Sequence, residues 1–376
     1  MCRTNARSDK SYGLMPAPSP VSDWKAKVTV PPQVVAIFSR QLATMLRNAV
    51  PIIQSLETLS HQPEHPNFGE VIRDVAEKVA AGHVFSHQLS AYPRIFSKIF
   101  VTLVQIGERT GDLDGSLERL ADWMERDERL RQRVKSAMTY PIFVLILATA
   151  LTLFMFYTVL PSFLGIFKEM NVPLPLITRV VMFITEAVRQ PGFWLIFLAG
   201  GGALYTAGRE WLRTTSGQLA LFRFLKRVPL MGSMLMFGSC ARFCMSVEAM
   251  LSSGMDIART MRMAAGASGN PEFLDDAPRM EKTIMEGEPC SDHLAANPQI
   301  YPPSLSHMVM AGEQASRLPE MFGRAGSYYD IEMNFKVDAL SAAMEPLMLA
   351  GVASVVATVI LSIFLPLYSY LATLSA

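Results

Sequence analysis

The chain has 376 residues, a net charge of +1 and a half-hydrophobic composition. So neutral a balance gives no global support for a nucleic-acid partner, which needs a basic patch or stripe, while the apolar share leans toward a membrane protein of two or three domains. The four cysteines, Cys2, Cys240, Cys244 and Cys290, show neither a disulfide framework nor the paired CxxC spacing of a zinc site.

Residues 1–31 contain no apolar h-region, so no secretory signal is visible, and their Ser, Pro and Asn content suggests a flexible leader. Residues 32–139 read as a first cytoplasmic helical bundle. In "FSRQLATMLRNAVPIIQSLETLS" the apolar positions Phe38, Leu42, Met45 and Leu46 recur at helical spacing, and Pro51 suits the first turn of a second helix. "PNFGEVIRDVAEKVAAG" repeats the pattern and ends on Gly82, a C-cap candidate. "IFSKIFVTLVQIGERTG" is a mostly apolar helix. The polar stretch after it runs as a continuous helix into residues 140–164, the first expected span.

From Ile142 to Leu160 that span carries no charge, and its nineteen residues rise about 28 Å, enough for a hydrocarbon core of roughly 30 Å. The cations before it, Arg126 to Lys135, place its start on the cytoplasmic side. Residues 165–189 form an outer loop with an amphipathic helix, whose apolar face is expected at 176, 177, 180, 181, 184 and 188. Residues 190–211 form a weaker, glycine-rich second span between Trp194 and Trp211, followed by Arg209, Arg213, Arg223, Lys226 and Arg227. Residues 212–344 form a second cytoplasmic bundle, in which Cys240 and Cys244, one turn apart, suit a reduced buried pair. Residues 345–371 form the third span and residues 372–376 a periplasmic tail. The order is in, out, in, out.

The chain also says one thing twice. "GERTG" at 107–111 and "GEQAS" at 312–316 stand 205 residues apart, and that offset holds without gaps. Phe38 meets Phe243, Ile52 meets Ile257, Phe68 meets Phe273, Gly82 meets Gly287, Pro141 meets Pro346 and Pro161 meets Pro366. Two copies of one unit follow, each a soluble part and a span. The fold class is therefore an all-α membrane protein with two duplicated cytoplasmic bundles and three transmembrane helices.

Catalytic motifs are missing: the sequence has no GxxxxGK, GxSxG or HExxH. His61/His65 and His83/His87 have i, i+4 spacing without an obvious third ligand; these, with His293 and His307, suit surface or capping roles. The carboxylates from Glu108 to Glu128 suit a solvated helix face paired with Arg119, Arg126 and Arg129, against a divalent-cation site or an acidic docking face. The candidate positions are Gly107, Glu108, Asp112, Gly312 and Glu313. Each Gly-Glu pair can be local structure, the glycine admitting a neighbouring helix and the carboxylate capping a helix N-terminus, or it can touch a partner. Near-absence of ionisable residues in the spans disfavours ion transport.

The two-copy layout, "GERTGDLDGSLERLADW", "TYPIFV", "PLPLITRVV" and "FCMSVEAMLSSGMDIARTM" together resemble the inner-membrane platform proteins of type II secretion systems and type IV pili. The resemblance implies a non-enzymatic, homo-oligomeric, cofactor-free protein. Its implied partners are a cytoplasmic hexameric assembly ATPase, other inner-membrane assembly proteins, and pilin or pseudopilin subunits. It also implies a multi-pass inner-membrane location with the N-terminus cytoplasmic and the C-terminus periplasmic. The alternatives are a sensor or adaptor, or a transporter subunit, without fibre assembly. One departure is Ser316, where the family pattern has glycine; at φ > 0 serine would be strained.

Overall fold

The computed structural model describes residues 28–61, 65–163 and 175–374. The expected leader up to residue 27, residues 164–174 of the outer loop and the tail's residues 375–376 lie outside the described residues. Among the described residues every regular element is a helix. The chain divides into two compact units, Met1–Met124 and Glu125–Ala376.

The first unit contains α1 (Pro32–Arg47), α2 (Ile52–Ser60), α3 (Pro66–Ala80), α4 (Phe85–Ser90), α5 (Lys98–Thr110) and the first turns of α6 (Leu113–Phe154). Pro51 occupies the N-cap of α2 at φ −57°, one residue outside the first turn expected of it. Gly82 follows α3 at φ 89°, the left-handed conformation that a C-terminal glycine supplies. The core is aromatic at its centre. Phe38 and Phe68 meet edge to face at 5.3 Å, and both approach Phe96.

The second unit contains the rest of α6, α7 (Leu176–Arg189), α8 (Pro191–Arg213), α9 (Thr215–Lys226), α10 (Met231–Ser252), α11 (Ile257–Ala267), α12 (Pro271–Met285), α13 (Cys290–Ala296), α14 (Pro303–Gln314) and α15 (Leu318–Leu374). Its bundle repeats the first core in register. Phe243 and Phe273 meet edge to face at 5.5 Å, and Phe273 lies 4.7 Å from Tyr301, the counterpart of Phe96. Cys240, Cys244 and Cys290 are free and buried. Burial, and secondarily Glu313, pushes the Cys290 thiol up to about 12; burial also raises Cys240 and Cys244.

Among the described residues three helices are long and apolar enough to cross a membrane: Leu113–Phe163, Met231–Ser252 and Leu318–Pro366. The first and third carry the expected first and third spans. In the second, α10, the apolar window is 61% buried inside the bundle, against 0% and 11% for the other two. Its apolar residues, including Phe243, Val247 and Met250, are core. The expected second span is α8, which reaches the same apolarity only together with α7, from which it bends by 76°. With α10 packed inside the bundle, α6 and α15 remain as long apolar helices with exposed apolar windows, and α8 joins them as a candidate only together with α7.

Each copy places a second proline deep in its span, Pro161 and Pro366, and the two are accommodated differently. Before Pro161 the helix widens into a π-turn over Met155–Val159, with Leu160 N–H donating to the Met155 carbonyl; the wider turn gives the ring room. Pro366 has no N–H for the Ser362 carbonyl four residues back. The Thr178 hydroxyl of α7 donates to that carbonyl instead, at 3.1 Å.

Beside this contact, Val181 is the buried residue of the apolar face expected of α7. Thr178, Val181 and Thr185 are buried, whereas Leu176, Ile177, Val180 and Ile184 are exposed. In a bilayer the physical reason is simple. Large apolar side chains gain nothing by leaving lipid, so close packing falls to smaller side chains and hydrogen-bonding hydroxyls.

Candidate functional site

The repeated Gly-Glu pairs end α5 and α14, and the structure gives each residue a task. Gly107 lies so close to α6 that a Cβ there would stand 2.8 Å from Cβ of Ser116. At Gly312 the distance would be 2.9 Å to Cβ of Met321, the residue 205 positions after Ser116. Both glycines therefore permit the same close helix approach. Glu108 accepts from the backbone N–H groups of Phe85 (2.8 Å) and Ser86 (3.1 Å), capping α4. Glu313 accepts from Cys290 N–H (2.7 Å) and Ser291 N–H (3.3 Å) and from the Ser291 hydroxyl, capping α13. A carboxylate at a helix N-terminus satisfies donors that have no intrahelical partner and lies at the favourable end of the helix dipole.

Asp112 is exposed and lies just before α6. Its carboxylate accepts from Arg119 at 2.7 Å, and that guanidinium also reaches the Ser116 hydroxyl at 3.2 Å. Gly111 before it has φ 74°, and Ser316 at the matching position has φ 53°. The serine thus holds the left-handed conformation that the first copy gives to glycine.

Of the other carboxylates of the acidic stretch, two are tied across helices and two within α6. Glu118 pairs with Arg47 and Asp122 with Arg40, both on α1. Asp127 pairs with Arg131, and Glu128 accepts from Gln132. Arg126, expected to pair within the stretch, instead reaches Glu248 of α10 at 3.2 Å. The Glu248 carboxylate sits where a Cβ on Gly323 would collide with it. Among the described residues no three His, Cys, Asp or Glu converge as a metal-binding group.

Two arrangements escaped the sequence reading. Arg133 donates to Asp338 at 3.1 Å, and these residues are counterparts 205 positions apart. Opposite charges at matching repeat positions are the signal that could have found them. His293, expected at the surface or in a cap, is nearly buried and lies 2.8 Å from Asp276, whose side chain is 1% exposed. The Tyr301 hydroxyl donates to the same carboxylate at 3.0 Å, and burial with that carboxylate raises its pKa. In the first copy the counterparts of Asp276 and Tyr301 are Val71 and Phe96. The first copy pairs a buried tyrosine with a carboxylate at other positions, Tyr92 donating to Asp74 at 2.6 Å, so in each core the hydroxyl is satisfied.

Among the described residues the repeated Gly-Glu pairs join helices. The comparisons with known proteins return the same two copies. The family described as type II secretion system (T2SS), protein F matches residues 38–161 and again 243–366, the same offset of 205. The type IV pilus assembly protein PilC of Thermus thermophilus is 34% identical over 382 residues, covering 99% of this chain and 93% of its own length. PilC of Pseudomonas aeruginosa is 27% identical, covering 90% of each chain. The type II secretion system protein F of Pseudomonas aeruginosa is 28% identical, covering 89% of this chain and 82% of its own. With two matched regions that reproduce the internal repeat, and a relative aligned over nearly its whole length, the chain belongs to the type II secretion system protein F family.

Proposed function

We propose that the protein is the inner-membrane platform of a type IV pilus or type II secretion machine. In this reading both bundles face the cytoplasm, the C-terminus is periplasmic, and the chain works as a homo-oligomer without enzymatic activity. A cytoplasmic assembly ATPase acts on the bundles, and displacement passes to pilin or pseudopilin subunits at the membrane. The observation that carries the reading is helix continuity. In both copies the helix that closes the bundle runs on into an apolar segment, over 51 residues from Leu113 to Phe163 and 57 residues in α15. A continuous helix transmits displacement along its axis, because every turn is hydrogen-bonded to the next.

Four glycines inserted between Lys336 and Val337 should interrupt α15 between bundle and span. Membrane insertion and ATPase co-purification should persist while fibre assembly is lost. Assembly at the normal level would remove the coupling role.

Within the Gly-Glu corner, Asp112 is the residue best placed to meet the ATPase. Gly107, Glu108, Gly312 and Glu313 shape the corner from within. Asp112→Lys should reduce ATPase co-purification with little change in melting temperature. Reversal of Glu108 or Glu313 is a poor test of docking, since it strips a helix cap. Unchanged binding by Asp112→Lys would take the corner out of the interface.

A further inference from the structure

Helix α9 is a bracket fixed at both ends. At its start the Thr214 side chain accepts from Gly217 N–H at 3.2 Å, and Gln218 Nε2 donates to the Leu212 carbonyl at 3.0 Å. A Cβ on Gly217 would lie 2.0 Å from the Trp211 carbonyl oxygen, so the corner after α8 is as tight as a backbone allows. At its end a Cβ on Gly232 would lie 2.1 Å from the Lys226 carbonyl oxygen. Lys226 also ties the helix to the bundle through Glu272 at 2.9 Å.

So held, α9 leaves an apolar edge without cover. Leu221, Phe224 and Val228, spaced i, i+3 and i+7, are exposed, with Phe224 at 64%. The edge is flanked by Arg223 and Arg227, and Arg213 lies at the corner. From Arg209 to Val228 there are five cations and one carboxylate, Glu210; Arg213 pairs with Glu210 at 2.6 Å on the exposed surface, and Arg223 and Lys226 pair with Glu272. Behind α9 lies an open groove of about 360 Å³, lined by Leu212, Leu221 and Leu225 on one side and by Asn270, Pro271 and Leu274 on the other. Leu212 of its lining follows Trp211 in the last turn of the apolar helix α8. Asn270 is 1% exposed; its Oδ1 caps α12 by accepting from Glu272 N–H, and its Nδ2 has no partner in the structure.

We infer that α9 and this groove form a binding site for an anionic phospholipid of the adjoining leaflet. Leu221, Phe224 and Val228 enter the acyl boundary, as the apolar face of an interfacial helix does. Arg213 and Arg227 meet the phosphate, an acyl chain lies in the groove, and the Asn270 amide donates to its ester carbonyl. Chain continuity with the apolar helix α8 selects lipid as the occupant, and the excess of cations selects an anionic headgroup.

The test uses the full chain in nanodiscs. In a Cys2→Ser background, where the three remaining thiols are buried, spin labels are placed by Phe224→Cys and, as a control, by Met285→Cys, a residue 75% exposed in α12. With phosphatidylglycerol present, the label at 224 should be shielded from a water-soluble nickel chelate and open to oxygen, while the label at 285 stays open to the chelate. Arg213→Gln with Arg227→Gln should move the 224 label toward the control. Equal chelate access at 224 and 285 would overturn the site. So would dipolar broadening between 224 labels of two copies, which would mark a chain–chain contact. Asn270→Ser keeps a capping oxygen and removes the amide donor. Phosphatidylglycerol retained in native mass spectrometry should fall about tenfold, the equivalent of one hydrogen bond; undiminished retention would overturn the groove.

Discussion

At the scale of single residues, the second copy carries a cost that the first avoids. Ser316 stands at φ 53° where Gly111 stands at φ 74°, and a side chain in the left-handed region costs about 1 kcal/mol. Ser316→Gly should stabilise the second unit by about that amount, and Gly111→Ser should destabilise the first; chemical denaturation of the purified chain measures both. Ala49 at φ 61°, matched by Gly254 at φ 85°, is the same problem in the opposite copy. The capping carboxylates act with the other sign. Glu108→Ala strands two backbone donors and should cost roughly 2 kcal/mol, read as a lower unfolding midpoint.

The three buried thiols give a pH dependence. Their folded pKa values lie above the ordinary value of 9.0. The stability they hold is therefore fully present below about pH 9 and is lost as pH rises through the folded values, because the unfolded chain releases its protons first. The second unit should soften in alkali from about pH 9, Cys290 adding to the loss up to about 12, as denaturation at stepped pH would show. At neutral pH the same thiols should resist alkylation until the chain unfolds.

At the scale of elements, the polar link between α7 and α15 follows from one missing hydrogen. Pro366 cannot donate to Ser362, and Thr178 does so. Thr178→Val should cost about 1 kcal/mol in the parent. In a Pro366→Ala background the restored N–H serves Ser362, and the same substitution should cost much less. A double-mutant cycle on detergent-solubilised protein measures that coupling; additive effects would show that the hydroxyl does not replace the lost donor. Periodicity located α7, but burial divides its apolar face: Leu176, Ile177, Val180 and Ile184 are exposed, while Val181 clusters with Val359 of α15 and Thr178 bonds to Ser362. Helix α10 falls in the expected second bundle although it is apolar enough for a span, and the packing of its Phe243 against Phe273 and Phe322 shows it in a core.

At the scale of the whole molecule, the platform reading fixes a topology. Reporter fusions after residues in α3 and α12 should both read cytoplasmic, and a fusion at the C-terminus should read periplasmic. Opposite readings for the two bundles would leave no shared motor able to act on both. Leu151→Arg, at the centre of the first span, should cost about 2.5–3.5 kcal/mol of insertion free energy, seen as a loss of membrane-integrated protein.

The duplication, the helical class and the apolar segments were legible in the amino-acid order because they are properties of spacing and composition. Charge flanks and turn residues are equally local, which is why Gly82 and the 107/312 pairs could be singled out before any coordinates. Tertiary structure alone decided what each of those residues touches. Glu108 reaches an N-terminus 23 residues back, Arg126 reaches a carboxylate 122 residues on, and His293 finds Asp276, whose counterpart in the first copy is Val71. Such partners are chosen by how helices pack, and packing brings together positions whose separation along the chain carries no periodic signal.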